Sequence, residues 1–325
     1  MNKITTKFLA ATAVASAMIF APAAYAAPID EIHFLIPGGP GGGWDGTARG
    51  TGEALAKAGL VKSVSFENMS GGGGGKAIAH LIETREKATS TLMVNSTPIV
   101  IRSLQKVFPQ SFRDLTPIAG VIGDYAAFVV NKDSDLVDFK ALTAKYKANP
   151  RKVAIGGGSV AGGMDHLVSA MVMKAAGADP KAVKYIPYDA GGKAMAGLLS
   201  GEINALSTGF GEALDLAKQD QVRILCVTSR ERLAEAPKVP TCFEQDAPVE
   251  FVNWRGFFAA PGTSDAKKAE YIEALSAMYE TKEWETVRAR NGWVNIFYPG
   301  EEFVEFLEFQ EAEMGSLMKE LGFLK

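Results

Sequence analysis

Ile32-His33-Phe34-Leu35-Ile36-Pro37-Gly38-Gly39-Pro40-Gly41-Gly42-Gly43-Trp44-Asp45 joins an apolar run of strand length to a glycine cluster, and a helical pattern from about Trp44 to Ala58 follows. Strand, glycine-rich turn and helix together make the repeating unit of a parallel α/β sheet. The unit recurs. Ser63 to Glu67 leads into Ser70-Gly-Gly-Gly-Gly-Gly75 and a helix through Ile78 and Leu81; Thr91 to Asn95 leads into Ser96-Thr97-Pro98, where proline suits a first helical turn. Further along, Val153 to Gly156 feeds Gly157 to Gly163, Val183 to Pro187 feeds Tyr188-Asp-Ala-Gly-Gly192, and Ile203 to Ser207 feeds Thr208-Gly-Phe-Gly211, each before a helical pattern. Two helix-free stretches interrupt the series. Pro117 to Asn131 reads as two apolar strand-like runs, and Phe251 to Ala260 precedes a purely helical end. The simplest arrangement is two α/β lobes joined by two extended crossings, with the C-terminal helices packing on the first lobe.

Composition narrows what such a chain does. Its 325 residues are 47% hydrophobic and 22% charged, enough for one large core or two smaller ones. A net charge of -3 excludes the broad basic field of a nucleic-acid protein, so we expect no nucleic-acid partner. Lys3 and Lys7, the apolar run from Phe8 to Phe20, and Ala24-Tyr25-Ala26 spell a cleavable export signal, with cleavage expected after Ala26 into the periplasm. Removing those two lysines from the 34 basic groups leaves 32 against 37 acidic ones, a net charge of -5. Export permits a disulfide between Cys226 and Cys242, the only cysteines, but Cys226 lies in a strand pattern and Cys242 in a loop, and the spacing leaves pairing open. Two cysteines and three scattered histidines make no zinc spacing; no metal and no cofactor are expected.

The remaining signal is 34 glycines, clustered at strand ends. A helix N-terminus exposes unpaired N–H groups and partial positive charge, and glycine lets an anion approach them. Apart from Lys76 and Lys193 these turns hold no basic residue, so a carboxylate is expected to be gripped by backbone donors, with hydroxyls of Ser70, Ser96, Thr97, Ser159 and Thr208 in support and no salt bridge required. Trp44, Phe210 and Trp254 are candidate walls; Asp45, Asp165 and Asp189 suit capping or loop fixing. Three enzyme patterns compete with this reading, and only the phosphate loop fails outright. Gly41-x-Gly43-x-x-Gly46 with Glu67 mimics a dinucleotide fingerprint, but in an exported chain with many such turns. Gly71 to Lys76 lacks the leading glycine and the hydroxyl of a phosphate loop, and Gly157-Gly-Ser159-Val-Ala161 lacks the last glycine of a nucleophile elbow.

The ordered set Pro37 to Asp45, Asn68 to Gly75, Ile155 to Ser159, Pro187 to Gly192, Val239-Pro-Thr241 and Gly256 to Pro261 resembles the substrate-binding proteins of tripartite tricarboxylate transporters, the Bug family, across the mature chain. The resemblance implies a non-enzymatic, two-lobe periplasmic binding protein of type II topology that closes on a small organic carboxylate. It also implies delivery to one large and one small membrane subunit. Lobe I is expected at 27–128 plus 252–325 and lobe II at 129–251, in a monomer. From lobe I the matching contacts are Gly39, Gly42, Gly43, Trp44 and Asp45; Ser70, Gly71 and Gly72; and Ser96 and Thr97. Lobe II offers Gly158, Ser159, Ala161 and Gly162, then Tyr188 and Asp189, then Thr208 and Gly209. The glycines before Trp44 and the Tyr188 turn point to the tricarboxylate branch and a citrate-like ligand, while Met164-Asp165 departs from the small or hydroxyl residues of that pattern. The alternatives are an exported α/β enzyme acting on a small carboxylate and the ligand-sensing subunit of a signalling system.

Overall fold

A computed structural model describes residues 27–324. The export signal lies outside the described residues. Among those described, no helix is long and apolar enough to cross a membrane.

The described residues form ten strands and ten α-helices. In the first half of the sheet, β1 (Ile29–Ile36) lies between β2 (Val61–Asn68) and β3 (Thr91–Ser96), all parallel. Each strand feeds a helix: α1 (Gly43–Lys57), α2 (Gly75–Glu83) and α3 (Thr97–Leu104). Strands β4 (Thr116–Asn131) and β9 (Val252–Ala259) extend this half in antiparallel sense, giving the order β2-β1-β3-β9-β4. The two runs expected between Pro117 and Asn131 are one strand of 16 residues. Its polar interruptions are not turns, because backbone pairing continues through Gly123 and Asp124.

From Ala126 onward β4 changes partners, leaving β9 for β7 (Ala205–Gly209) and β8 (Val222–Val227). There β5 (Ala154–Gly157) sits between β6 (Lys184–Pro187) and β7, again parallel. The helices that follow are α5 (Met164–Ala175), α6 (Gly191–Leu199) and α7 (Phe210–Lys218). Helix α4 (Phe139–Ala148), capped by Asp138, precedes β5 and adds an element to those the sequence pattern predicts.

Buried apolar side chains run without a break from one half to the other: Leu35 and Met93 of the first share a cluster with Phe128 and Ile155 of the second. Helices α8 (Asp265–Tyr279) and α9 (Lys282–Arg290) bury Tyr271, Leu275, Trp284 and Val287 with the first half's residues. Gly50 and Gly52 of α1 allow close packing there; a Cβ on them would lie 2.8 Å from Val287 and 2.7 Å from Phe66. The last helix, α10 (Glu301–Leu321), packs Phe303 against Trp254 and Phe258 of the first half. Its end reaches α5, where Glu320 pairs with Lys174 and Phe323 meets the His166 ring edge-on. Cys226 and Cys242 form a disulfide with Cα atoms 5.0 Å apart, tying β8 to the loop that pairs beside it at Thr241.

Candidate functional site

The N-termini of α1, α3, α5, α6 and α7 open onto one cavity of about 80 Å³ between the halves of the sheet, and an adjoining cavity of the same size extends it to the turn before α2. Helix N-termini aimed at one space give it a positive bias that does not depend on basic side chains.

The first wall comes from the quoted turn. Gly39, Gly42, Gly43 and Trp44 line the main cavity, and the Trp44 indole N–H donates to Ser96 Oγ at 2.9 Å, which holds the ring beside the start of α3. Asp45 faces away. Its carboxylate accepts from Gly41 N at 3.0 Å, Arg49 Nε at 2.8 Å and Asn68 Nδ2 at 3.0 Å, so it shapes the turn from within α1. Ser70, Gly71 and Gly72 line the adjoining cavity. Gly71, Gly72, Gly73 and Gly74 all have positive φ, at 147°, 60°, 66° and 99°, a succession that side chains would strain. That requirement accounts for the polyglycine run. Thr97 is buried next to Ser96 but does not line either cavity, and its Oγ1 has no hydrogen-bond partner among the described residues.

On the opposite wall Gly158, Ser159 and Asp189 line both cavities, and Tyr188 lines the adjoining one. Ser159 Oγ accepts from Asp165 N at 3.0 Å and so caps α5 from a distance, while Asp189 pairs with Lys193 at 3.3 Å. Ala161 and Gly162 lie outside the cavities and join the halves instead. Gln105 Nε2, just past α3, donates to Gly162 O at 2.9 Å, and Arg102 Nη1 bridges Gln105 Oε1 at 2.8 Å and Ala161 O at 3.5 Å. Thr208 and Gly209 also miss the cavity. Both donate to Glu212 Oε2, the former through its hydroxyl, and thereby fix Glu212 in the wall.

Two of the three expected aromatic walls are core residues. Phe210 packs with Leu214 and Val227 in the second half, and Trp254 is buried against Phe303 and Phe306. The reason for Trp254 is the two-residue period of β9: Trp254 points into the core, so Asn253 and Arg255 point the other way, into the cavity. This overturns the expectation of a site without basic side chains. Arg255 is 3% exposed and its Nη2 lies 2.9 Å from Asp124 Oδ2, on a carboxylate that is wholly buried. The signal is present in Asn253-Trp-Arg255, a polar-apolar-polar triplet inside an aromatic strand whose sequence pattern alone predicts only a crossing.

Arg255, Asp124, Glu212 and Asp165 thus gather in and under the cavity, and glycines make room for all four. A Cβ at Gly43 would stand 2.0 Å from Arg255 Nη2, at Gly209 2.2 Å from Asp124 Oδ2, at Gly191 2.5 Å from Glu212 Oε1 and at Gly157 2.5 Å from Asp165 Cβ. Burial pushes the Asp124 carboxyl up to about 6, the nearby Arg255 only partly opposing it, and burial together with the Glu212 charge pushes Asp165 up to about 7. Desolvation outweighs the ion pair. Both acids therefore hold protons more tightly in the folded chain than in the unfolded one, and stability falls as pH rises from about 4 through about 7. We expect the ligand-free protein to melt several degrees higher at pH 5 than at pH 7.5 in calorimetry, with Asp165→Asn flattening that slope; an unchanged slope would remove Asp165 as its source.

A family model described as "Tripartite tricarboxylate transporter family receptor" matches residues 47–323. Among curated relatives, a UPF0065 protein from the tcbD–tcbE intergenic region of Pseudomonas sp. strain P51 is 27% identical over 258 residues, 77% of this chain and 75% of that protein. The periplasmic binding protein BugD superposes with a TM-score of 0.82 at 21% identity, over 92% of this chain and 99% of that one. MatC from Rhodopseudomonas palustris, solved with bound malate, gives 0.78 at 18% identity over 89% and 99%. The shared architecture is that of a two-lobe periplasmic binding protein.

Proposed function

The chain belongs to the tripartite tricarboxylate transporter receptor family, whose members are solute receptors and not enzymes, and we propose from that premise that it is a periplasmic receptor closing on a small organic carboxylate. The observation that carries this reading is the cavity itself: several helix N-termini and one buried guanidinium face a space of about 80 Å³. By the measure that a water needs about 10–15 Å³, the cavity and the adjoining one together suit a solute of roughly ten heavy atoms. MatC's malate is a ligand of that kind.

We place lobe I at 27–128 plus 252–325 and lobe II at 129–251, a division supported by β4 exchanging β9 for β7 and β8. The contacts of Arg102 and Gln105 with Ala161 and Gly162 then act as a latch that forms when the lobes shut. The family match supports delivery to membrane components of a transporter; in our reading these are one large and one small subunit, and the latched form is the one presented.

The charge count argues for a smaller anion than citrate. Arg255 is engaged by Asp124, and Glu212 and Asp165 add two more acids to the wall. At an effective dielectric of about 20, two like charges 4 Å apart repel by about 4 kcal/mol, so a trianion would meet a large opposing term here. The test is a thermal-shift screen of mono-, di- and tricarboxylates with uncharged analogues. A ligand at 100 times its Kd adds about 2.7 kcal/mol of stability. We expect a clear rise with at least one mono- or dicarboxylate and none with citrate; no response to any carboxylate would sink the receptor reading.

A further inference from the structure

Arg102 is a buried cation without a counter-ion. It is 8% exposed and makes no ion pair among the described residues, and burial alone holds its guanidinium below the usual arginine range. Its hydrogen bonds run through Nη1, to Gln105 Oε1 at 2.8 Å and Ala161 O at 3.5 Å, while Nε has no partner among the described residues. Arginine keeps its charge when buried, so the charge is either met by an anion or left as a standing cost. The side chain lines the adjoining cavity of about 80 Å³ and not the main one.

The rest of that cavity favours the same guest. Gly71 to Gly74 wrap one end of it with four successive positive φ values, and successive N–H groups in such a turn form an anion-binding concavity. Gly163 and Met164 bring the N-terminus of α5 to it from the other half of the molecule. The one carboxylate in its lining, Asp189, is paired with Lys193 at 3.3 Å, whereas Asp165 and Glu212 line only the main cavity. The charges are thus segregated, with the acids around Arg255 and the unpaired cation one cavity away.

We propose that the adjoining cavity is an oxyanion site in its own right, separate from the one at Arg255, with the Arg102 guanidinium as counter-ion and the turn before α2 and the start of α5 as backbone donors. An oxyanion there touches both halves, because Arg102 and the glycine turn belong to one and α5 to the other, so filling the site strengthens the latch of Arg102 on Ala161. Two sources supply this chemistry: a second anionic group on the solute, and a free inorganic oxyanion. With the first source the inference rests on the receptor reading above; with the second it stands without it.

Two titrations of the full mature chain at pH 7.5 separate the sources. Sulfate is added to the solute-free protein while its melting is followed, and butyrate against succinate and hexanoate against adipate are compared by calorimetry, each pair differing only in a far carboxylate. A charge-assisted hydrogen bond corresponds to about tenfold or more in affinity, so a solute-borne group makes at least one diacid bind about tenfold or more tighter than its monoacid. A free oxyanion instead raises the melting temperature by several degrees at millimolar sulfate and leaves the pairs equal. Arg102→Gln, which removes the charge, and Gly73→Ala, whose Cβ would lie 3.2 Å from Arg102 Nε, are each expected to cancel whichever effect the wild-type chain shows. A merely structural role for Arg102 would weaken monoacids and diacids together and leave the ratio and the sulfate response in place, and that result overturns the assignment. Monoacid binding with neither effect in the wild-type chain overturns the inference and leaves the receptor reading standing. A sulfate response lost with Arg102, in a chain that binds no carboxylate, keeps the oxyanion site and removes the receptor reading.

Discussion

Arg255→Met abolishes detectable carboxylate binding, a loss expected to exceed about 100-fold by calorimetry, since a hydrogen bond from a charged donor contributes about 1.5–3 kcal/mol and the guanidinium is the cavity's one basic wall residue. The variant also strands Asp124, which is fully buried. Removing one partner of a buried pair ordinarily costs about 3–5 kcal/mol. Here the carboxyl already sits up at about 6, so near neutral pH it can take a proton, and the expected cost lies at the lower end of that range. The double variant Arg255→Met/Asp124→Asn separates the two effects. It should recover most of the lost melting temperature and none of the binding. Binding retained by either variant would show that the backbone donors suffice and that Arg255 serves only Asp124.

Gly158→Ala carries the second large effect, because the added methyl has nowhere to go. Its Cβ would lie 2.3 Å from Gly191 N and 2.7 Å from Ala190 C, atoms of backbone and not of a yielding side chain. Overpacking of this kind costs about 1–3 kcal/mol, and relief requires the turn after β5 and the first turn of α6 to separate. Those two segments form one wall of the cavity, so affinity is expected to fall by about 100-fold or more while far-ultraviolet circular dichroism stays near native. Gly201→Ala is the control: nothing lies within 4 Å of its Cβ, and it is remote from the cavity wall, although its φ of +81° adds a modest strain of its own. Equal losses of binding in both variants would remove the steric argument at Gly158.

These two sites show what the sequence disclosed and where it fell silent. Strand-turn-helix units were legible because apolar runs, glycine clusters and helical spacing are local signals, and β1 with α1, β3 with α3 and β6 with α6 follow them closely. The glycines were legible as a site but not for their full reason. Gly43, Gly157, Gly191 and Gly209 leave room for a charged cluster drawn from residues 124, 165, 212 and 255, and no local window contains that assembly. Arg255 was hidden for the same cause, lying mid-strand in a stretch read as a connection. Thr208 and Gly209 were recognised as important, yet they act on Glu212 and not on the cavity.

Strand β4 has one more consequence. It pairs with β9 at one end and with β7 and β8 at the other, and the apolar cluster that contains Phe128 continues into both halves. Melting either half therefore unpairs an edge and opens the interior of the other. The two halves are therefore expected to unfold in one transition, and a cut within β4 is expected to leave two fragments with raw sheet edges prone to self-association.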